Sequence, residues 1–433
     1  MGSNRAGPAA PCLAAVLLIL FSASGLQAQS ATQNLAESPK PSPSCGWIPV
    51  WGSSQYAPEP QNALPADDLR DATLRQTMRV TAAGDEIRLR ITNAFGTAPL
   101  RVNSASVARP QAPGRSTIDT QSLTPVLFDG RTGVVVPPGA DWLSDPVAWP
   151  VEAAGDVVVS LHLVDAAGGQ TGHPGARSTT FVAPGDQVTA RDLTGAKTAE
   201  RWYFVAAIEA CDPDLDGAVV ILGDSITDGY GVPADTNQRW PDRLAARLQA
   251  DPATRGLSVI NQGIGGNRLL LDGLGPNLLA RFERDVLSHP GVRFLVVLEG
   301  VNDLGVLTRY HPASAQAHAA LVEQMTGVYS QIVGRARARG IRVIGATIMP
   351  YGGSEYYHPT AENEADRQRL NAWIRTPGNF DAVIDFDRIM GDPDRPERLR
   401  ADVDSGDGLH PSMAGYVVMG DAPPLDLFKE PRP

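Results

Sequence analysis

The hydrophobic positions of the chain follow two different patterns, and the change falls near residue 212. Between residue 45 and about residue 210, apolar and polar positions alternate in short segments such as 87–91 and 157–163. Alternation with a period of two predicts half-buried antiparallel strands. Turn residues such as Pro137-Pro138-Gly139 recur between these segments, and no helical period of useful length occurs. This region is therefore predicted to be a β-sandwich or jelly roll.

After Asp212-Pro213-Asp214 the pattern becomes one of continuous apolar runs that alternate with segments of helical period. Continuous apolar runs are typical of strands that are buried on both faces of a parallel sheet. The longest helical segment, 313–339, is expected to end before Gly340. The second region is therefore predicted to be an α/β domain. The apolar runs are 218–222, 257–260, 294–298, 343–348 and 383–386.

The N-terminal segment has the composition of a targeting sequence. Residues 1–28 combine one positive charge, at Arg5, with an apolar run over 13–21 and a following stretch of small residues. This pattern predicts a cleaved secretory signal, and an uncleaved anchor is the alternative, although the run is short for a bilayer span. We therefore expect a secreted or periplasmic protein. The predicted organisation is a signal at 1–28, a flexible linker at 29–44, a β-sandwich domain at 45–211 and an α/β domain at 212–433.

Charge and cysteine content narrow the classes of partner. The 433 residues carry a formal net charge of −11. An acidic protein repels nucleic acid and anionic lipid, so neither nucleic acid nor a stable membrane association is expected. In an oxidising compartment Cys45 and Cys211 could form a disulfide, and two buried thiols are the alternative. The chain has no metal-binding spacing of Cys and His, so neither a metal nor another cofactor is expected.

Polar segments follow the first three apolar runs of the α/β region. Because the carboxyl ends of parallel strands lie at one edge of a sheet, these segments are expected to share one site. Ser225 stands after Gly223-Asp224 at a predicted strand-to-helix turn, which makes it a candidate nucleophile. The alternative is a serine that caps a helix. Asp224 is expected to accept backbone hydrogen bonds within the turn and not to transfer protons.

A carboxylate and an imidazole occur together near the C-terminus, in Asp407-Gly408-Leu409-His410. His410 is the candidate general base for Ser225, and Asp407 is the candidate for orienting its ring. A surface turn is the alternative. His173 and the other histidines have no comparable carboxylate arrangement near them in the sequence.

Acyl transfer also requires donors for a developing oxyanion. The candidates are the backbone N–H groups of Ser225 and Gly266 and the side-chain amide of Asn302. A loop glycine and a turn or cap residue are the alternatives for Gly266 and Asn302, respectively. The loop around Gly266 does not have the Gly-x-Gly-x-x-Gly spacing of dinucleotide sites.

The segments 223–229, 261–268, 300–303 and 407–411 together resemble the four conserved blocks of the SGNH hydrolases, also called the GDSL esterase and lipase family. The resemblance covers about residues 217–427. It implies a three-layer α/β/α fold, a catalytic triad of Ser225, His410 and Asp407, and an oxyanion hole formed by Ser225, Gly266 and Asn302. Val301 departs from the pattern, since many members have glycine there.

The segment 47–210 is similar to the β-sandwich domain that precedes the hydrolase domain in a subset of exported bacterial members. The resemblance implies a serine esterase that acts on esters of a small molecule or a polysaccharide. The sequence has no long apolar lid segment of the kind that an interfacial lipase uses, so short acyl groups, acetyl above all, are expected. The segment 351–363, rich in glycine and tyrosine, is expected to form one wall of an open groove, with Tyr356, Tyr357 and His358 as candidate substrate-binding residues. A lipase or lysophospholipase, an acyltransferase of the same family and a non-catalytic carbohydrate-binding protein are the alternatives. The sequence does not indicate an oligomeric state.

Overall fold

The computed structural model describes residues 46–165, 168–193 and 195–429. The predicted signal at 1–28, the predicted linker at 29–44 and Cys45 lie outside the described residues, so the predictions made for them stay predictions. Over the described ranges, no helix is long and apolar enough to cross a membrane.

Antiparallel strands build the N-terminal region, as the alternating pattern predicted. Their bounds are β1 Trp47–Gly52, β2 Ala72–Arg79, β3 Glu86–Thr92, β4 Leu100–Pro110, β5 Ile118–Val126, β6 Val134–Val136, β7 Asp141–Leu143, β8 Asp156–Leu163, β9 Gly172–His173, β10 Thr180–Pro184, β11 Lys197–Ala199, β12 Trp202–Tyr203 and β13 Val205–Cys211. One sheet has the order β1-β13-β3-β7 and the other the order β11-β10-β2-β8-β4-β5, with β6 paired to β4. Apolar side chains of both sheets share one core, which confirms the predicted β-sandwich. Short 3₁₀ helices lie at Pro60–Asn62 and Ala66–Leu69.

The two strands singled out in the sequence differ in burial. In β3, Ile87, Leu89 and Ile91 are buried and the arginines between them are partly exposed, as expected for a strand with one solvated face. Strand β8 is buried on both faces, which differs from the half-buried strand predicted. The reason is that the chain near Ala190 covers the polar face of β8. Arg75 connects the two, since it donates to Ser160 Oγ at 3.0 Å and to the Ala190 carbonyl at 2.7 Å.

The C-terminal region contains a parallel sheet covered by helices, and it confirms the predicted α/β/α class. The strand order is β15-β14-β16-β17-β18. The strands are β14 Gly217–Gly223, β15 Leu257–Gly263, β16 Val292–Leu298, β17 Arg342–Ala346 and β18 Ala382–Ile384. The helices are α1 Ser225–Asp228, α2 Trp240–Ala250, α3 Leu278–Phe282 with a π-helical continuation at Glu283–Leu287, α4 Val301–Thr308, α5 Ala315–Arg337, α6 Ala361–Arg375, α7 Phe386–Met390, α8 Met413–Asp421 and a 3₁₀ turn at Leu425–Phe428.

The sandwich covers the edge strand β15 of the parallel sheet. Thr81 Oγ1 donates to the Val259 carbonyl at 2.9 Å and accepts the Val259 N–H at 2.9 Å, while Ser258 Oγ donates to the Pro49 carbonyl at 2.6 Å. These contacts satisfy backbone groups that an open sheet edge would leave unpaired. Consistent with such contacts, the described residues of both regions belong to a single compact unit.

The proposed boundary between the two regions falls in the short connection between β13 and β14. Strand β13 ends at Cys211 and β14 begins at Gly217. Cys211 is disulfide-bonded. Its predicted partner, Cys45, is outside the described residues, so the pairing stays a prediction.

Candidate active site

Ser225 is the first residue of α1 and lies two positions after Gly223, the last residue of strand β14. Its neighbour Asp224 is the N-cap of that short helix and accepts the Ile226 N–H at 2.9 Å. The Ser225 hydroxyl therefore remains available for another partner, and its Oγ lies 2.8 Å from His410 Nε2. The structure thus brings together a serine and a histidine that are 185 residues apart in sequence.

Asp407 is fixed on the other side of the His410 ring. Its Oδ2 lies 2.6 Å from His410 Nδ1. Its Oδ1 accepts the backbone N–H groups of Leu409 and His410 at 2.9 and 2.8 Å. Because Asp407 accepts the proton of Nδ1, Nε2 of a neutral His410 is left as the acceptor that faces Ser225.

The charges of this pair suit a histidine that accepts a proton. Burial lowers the pKa of His410 below its ordinary value of 6.5, although the neighbouring Asp407 works in the opposite direction. Partial burial disfavours the charge of Asp407, but the hydrogen bonds from His410 and Leu409 outweigh it and hold the pKa of Asp407 below 3.8. At neutral pH the geometry therefore combines a charged carboxylate with a neutral imidazole.

We expect the acid limb of the pH profile to lie below the ordinary histidine value. A base must be neutral to accept a proton, so kcat/KM should fall as the pH drops through the pKa of His410, with its midpoint below 6.5. The measurement is kcat/KM for p-nitrophenyl acetate from about pH 4 to about pH 9, with circular dichroism at each pH as the control for folding. A midpoint at or above 6.5 would contradict the buried, neutral His410.

Gly266 lies in the loop after β15 and has a φ of +70°, in the left-handed region that favours glycine. A Cβ at this position would lie 2.9 Å from Leu274 Cδ1, so a larger residue would displace the Leu274 side chain. Within the described ranges, the N–H groups of Ser225 and Gly266 have no protein acceptor. Both donors are therefore free to bind a ligand oxygen.

Asn302, near the start of α4, is held in one amide orientation. Its Nδ2 donates to the Asn267 carbonyl at 2.8 Å, and its Oδ1 accepts the hydroxyl proton of Tyr357 at 2.6 Å. The hydrogen bond from Tyr357 to Oδ1 fixes the orientation of the amide. Nδ2 carries two protons and gives one to Asn267, so its second proton remains available for a further acceptor. Asp303 strengthens the link to the same loop, since its carboxylate accepts the N–H groups of Leu269 and Leu270 at 2.8 and 3.1 Å.

The three residues expected in a pocket wall occupy different environments. Tyr356 is exposed, and its ring lies 3.5 Å from Arg309 Cζ. His358 is also exposed and has a φ of +49°. Tyr357 is only 3% exposed, which differs from the exposed wall expected, because its ring packs beneath Tyr356 and its hydroxyl binds Asn302.

Tyr230 was missed in the sequence, although it lies only five residues after Ser225. Its ring stacks on His410 with a centroid separation of 4.0 Å, and 48% of the residue is exposed. Arg177, from the sandwich, lies over the same ring with its Cζ 5.7 Å from the centroid. The only available sequence signal was an aromatic residue soon after the serine block, and its role depends on contacts with distant segments.

Arg281 was also missed, and it connects the strand ends that carry the site. This fully buried guanidinium donates to the Gly223 carbonyl at 3.1 Å, to the Gln262 carbonyl at 2.6 Å and to Asn267 Oδ1 at 2.9 Å. It thereby holds the residues that precede Ser225 and those that flank Gly266. One arginine among many in a sequence gives no sign of such a position.

Glu299 is buried beneath the site, and we expect its replacement by glutamine to stabilise the protein. In the described part of the chain, neither carboxylate oxygen has a hydrogen-bond partner, and the nearest cation, Arg281, is 4.0 Å away. Burial, reinforced by the Asp224 carboxylate, raises the pKa of Glu299 well above 4.5. The folded state therefore binds this proton more tightly than the unfolded state, and stability is lost as the pH rises above 4.5 towards the raised pKa.

Glu299→Gln should consequently raise Tm by roughly a few degrees at about pH 8 and have little effect at about pH 4. The measurement is thermal unfolding at both pH values. Glu323→Gln, at an exposed position on α5, is the matched control, and it should leave Tm unchanged at both pH values. An equal effect of Glu299→Gln at both pH values would contradict the assigned titration.

Two of three comparisons with known proteins found similar proteins. Residues 221–418 match the model of the GDSL-like lipase/acylhydrolase family. A search of curated proteins found no match to the chain. Among solved structures, the chain is similar to a GDSL-like lipase from Bacteroides thetaiotaomicron VPI-5482, with 22% identity, a TM-score of 0.35, and coverage of 48% of this chain and 85% of that one.

Two further similar structures are acetylxylan esterases. One is the acetyl xylan esterase AlAXEase, with 21% identity, a TM-score of 0.36, and coverage of 47% of this chain and 96% of that one. The other is a catalytic mutant of Axe2 from Geobacillus stearothermophilus, with 21% identity, a TM-score of 0.35, and coverage of 48% of this chain and 92% of that one.

The family match assigns residues 221–418, which lie in the α/β/α region, to a class of carboxylic ester hydrolases. More narrowly, residues 221–418 form a GDSL-like lipase/acylhydrolase domain, and an antiparallel β-sandwich precedes it in the chain.

Proposed function

We propose that the protein is an exported serine esterase that removes short acyl groups, acetyl above all, from carbohydrate or other alcohols. The observation that carries the proposal is the continuous hydrogen-bonded series from Ser225 Oγ to His410 Nε2, at 2.8 Å, and from His410 Nδ1 to Asp407 Oδ2, at 2.6 Å. Nucleophile, base and orienting carboxylate are thus within hydrogen-bond reach of one another.

The chemistry follows in two half-reactions. As Ser225 Oγ attacks the ester carbonyl, His410 Nε2 accepts the hydroxyl proton and a C–O bond forms. The tetrahedral oxyanion is stabilised by the N–H groups of Ser225 and Gly266 and by the amide of Asn302. Collapse of this intermediate breaks the bond to the alcohol, which leaves with the proton from His410. Water then attacks the acyl-enzyme with His410 again as base, which releases the acid and restores Ser225.

Exposed side chains surround Ser225, so the candidate site is accessible to a substrate from solvent. Tyr230 beside His410, Leu274 beside Gly266 and Tyr356 above Tyr357 are all exposed. Aromatic rings of this kind offer flat apolar faces that can stack on a sugar ring. The chain also has no long apolar segment to serve as a lid over a fatty acyl chain, so the proposal places acetyl esters first.

The proposal of export rests on two features. Residues 1–28 have the composition of a secretory signal. The disulfide bond of Cys211 is also typical of proteins that reside in an oxidising compartment.

The proposal is tested by substrate comparison and by covalent trapping. We expect kcat/KM to decrease from p-nitrophenyl acetate to the butyrate and octanoate esters, and a fluorophosphonate to add one equivalent of label on the peptide that contains Ser225. Mass spectrometry of the digested protein locates the label. Preference for octanoate would favour a lipase, and binding of acetylated polysaccharide without turnover or labelling would favour a non-catalytic protein.

A further inference from the structure

We propose that the β-sandwich positions the oxyanion loop of the esterase through a buried clamp between His173 and Asp228. The inference rests on the proposed esterase function. It assigns a role in catalysis to the sandwich, which would then be part of the active site and not an appended module. His173 and Asp228 are positioning residues, since they act through the loop that carries Gly266.

The clamp joins three segments of the chain. Asp228 is the last residue of α1, three positions after Ser225, and its Oδ1 lies 2.8 Å from His173 Nε2 at the end of β9. Its other oxygen, Oδ2, accepts the Gly265 N–H at 3.0 Å. Gly265 directly precedes Gly266, whose N–H is the proposed oxyanion donor. A single carboxylate therefore connects the sandwich to the oxyanion loop.

Hydrogen bonding determines how the histidine is used. His173 Nδ1 lies 2.8 Å from the Ser54 carbonyl, which can only accept, so Nδ1 must donate. Nε2 faces the Asp228 carboxylate, and a favourable contact requires a proton there as well. Hydrogen bonds therefore hold both ring nitrogens of His173, one to the Ser54 carbonyl and one to the Asp228 carboxylate. The side chains of His173 and Asp228 are 3% and 6% exposed, so removal of one partner would leave a buried charge without compensation.

Two neighbouring segments pack closely against Asp228. A Cβ on Gly175, in the loop after β9, would collide with the Asp228 carboxylate. On the other side, a Cβ on Gly263 would lie 2.6 Å from the Asp228 backbone nitrogen. Glycine at positions 175 and 263 thus permits the sandwich loop and the end of β15 to approach Asp228 closely.

The expected consequence follows from the geometry of oxyanion stabilisation. A donor must lie at about 2.7–3.1 Å from the oxyanion to stabilise it, and a displacement of about 1 Å can lower the rate by about 10²-fold. Loss of the hydrogen bond to Gly265 frees the adjacent Gly266 to move. The damage should fall on kcat, because the oxyanion forms in the transition state and not in the bound substrate.

The test compares two substitutions at Asp228. Asp228→Ala removes both hydrogen bonds, and we expect kcat for p-nitrophenyl acetate to fall by about 10²-fold with KM within about threefold. Asp228→Asn can keep both, because its amide nitrogen can donate to a neutral His173 Nε2 while its oxygen accepts from Gly265. This variant should retain kcat within about threefold.

A second readout separates positioning from a merely structural role. The Ki of phenylboronic acid, which forms a tetrahedral adduct with an active serine, should rise in parallel with the loss of kcat in Asp228→Ala. All rates are normalised to active sites titrated with the fluorophosphonate. His318→Ala is the matched control, because His318 forms an equally buried pair with Asp366 between α5 and α6. It should lower Tm but leave kcat per active site and Ki unchanged.

Each outcome decides the proposal. Folded Asp228→Ala with kcat and boronate Ki within about threefold of the parent would overturn it. If Asp228→Ala does not fold, His173→Ala provides the test instead. We expect it to lower kcat by about tenfold, and an unchanged kcat would overturn the proposal. If Ser225→Ala retains full activity, the esterase proposal itself fails. If only Ser225→Ala is inactive and the clamp variants are unaffected, the clamp fails and the esterase proposal stands.

Discussion

Replacement of Ser225 by alanine is expected to lower kcat/KM for p-nitrophenyl acetate by about 10³-fold or more. The substitution removes the hydroxyl group whose proton His410 Nε2 is placed to accept, since Nε2 lies 2.8 Å from Ser225 Oγ. The backbone N–H groups and Asn302 would remain, so some stabilisation of a water-derived oxyanion persists. The measurement is steady-state hydrolysis by both proteins, purified in parallel and compared by circular dichroism.

Ser314→Ala is the matched control for this substitution. Ser314 caps helix α5 through a 3.2 Å hydrogen bond from the Ala317 N–H, which is the structural role that the sequence left open for Ser225. Its loss should cost about 1 kcal/mol of stability and leave kcat/KM unchanged. If Ser225→Ala behaves like Ser314→Ala, Ser225 is a structural residue and the serine-esterase proposal is wrong.

The second large effect is expected for Asp407→Asn, which should lower kcat by about 10³- to 10⁴-fold at neutral pH. The Asp407 Oδ1 accepts two backbone N–H groups, from Leu409 and His410, so the oxygen of the new amide will take that position. Its NH₂ group must then face His410 Nδ1. The ring is driven to carry its proton on Nε2, where it can no longer accept the proton of Ser225.

This effect has a pattern that simple destabilisation does not share. The loss should fall on kcat more than on KM, and Tm should change little because both backbone hydrogen bonds persist. Asp392→Asn is the matched control, since Asp392 also accepts a backbone N–H in a turn, from Asp394 at 3.0 Å. It should leave kcat unchanged. A fall of less than tenfold for Asp407→Asn would show that the orientation of His410 does not depend on Asp407.

Much of the fold was predictable because its signals are local. The apolar runs of the second region correspond to β14 to β18, each within a few residues of its predicted bounds. Strand β8 shows the limit of such patterns, since its alternating sequence predicted one solvated face and both faces are buried. The cover over the second face comes from Arg75 and from the chain near Ala190, which no pattern within β8 contains.

Local sequence was less informative about the residues that support the candidate site from behind, such as Tyr357 and His173. Tyr357 was expected in a pocket wall because it adjoins Tyr356 and His358. Its hydroxyl instead binds Asn302, 55 residues earlier in the chain. His173 was set aside because no carboxylate lies near it in the sequence, and its partner Asp228 is 55 residues later. Burial depends on which segments the fold packs together, so neither contact could be predicted from spacing.

Local patterns in the sequence were sufficient to predict the class of fold and to select the chemical groups of the candidate site. Hydrophobic period distinguishes a sandwich strand from a buried parallel strand, and the segments that follow parallel strands must meet at one edge of the sheet. The distances from Ser225 to His410 and from His173 to Asp228, and the burial of Arg281 and Glu299, could be read only from the folded protein. The physical reason is that hydrogen-bond geometry, desolvation and pKa depend on residues that are distant in the chain and become neighbours only when both regions have packed.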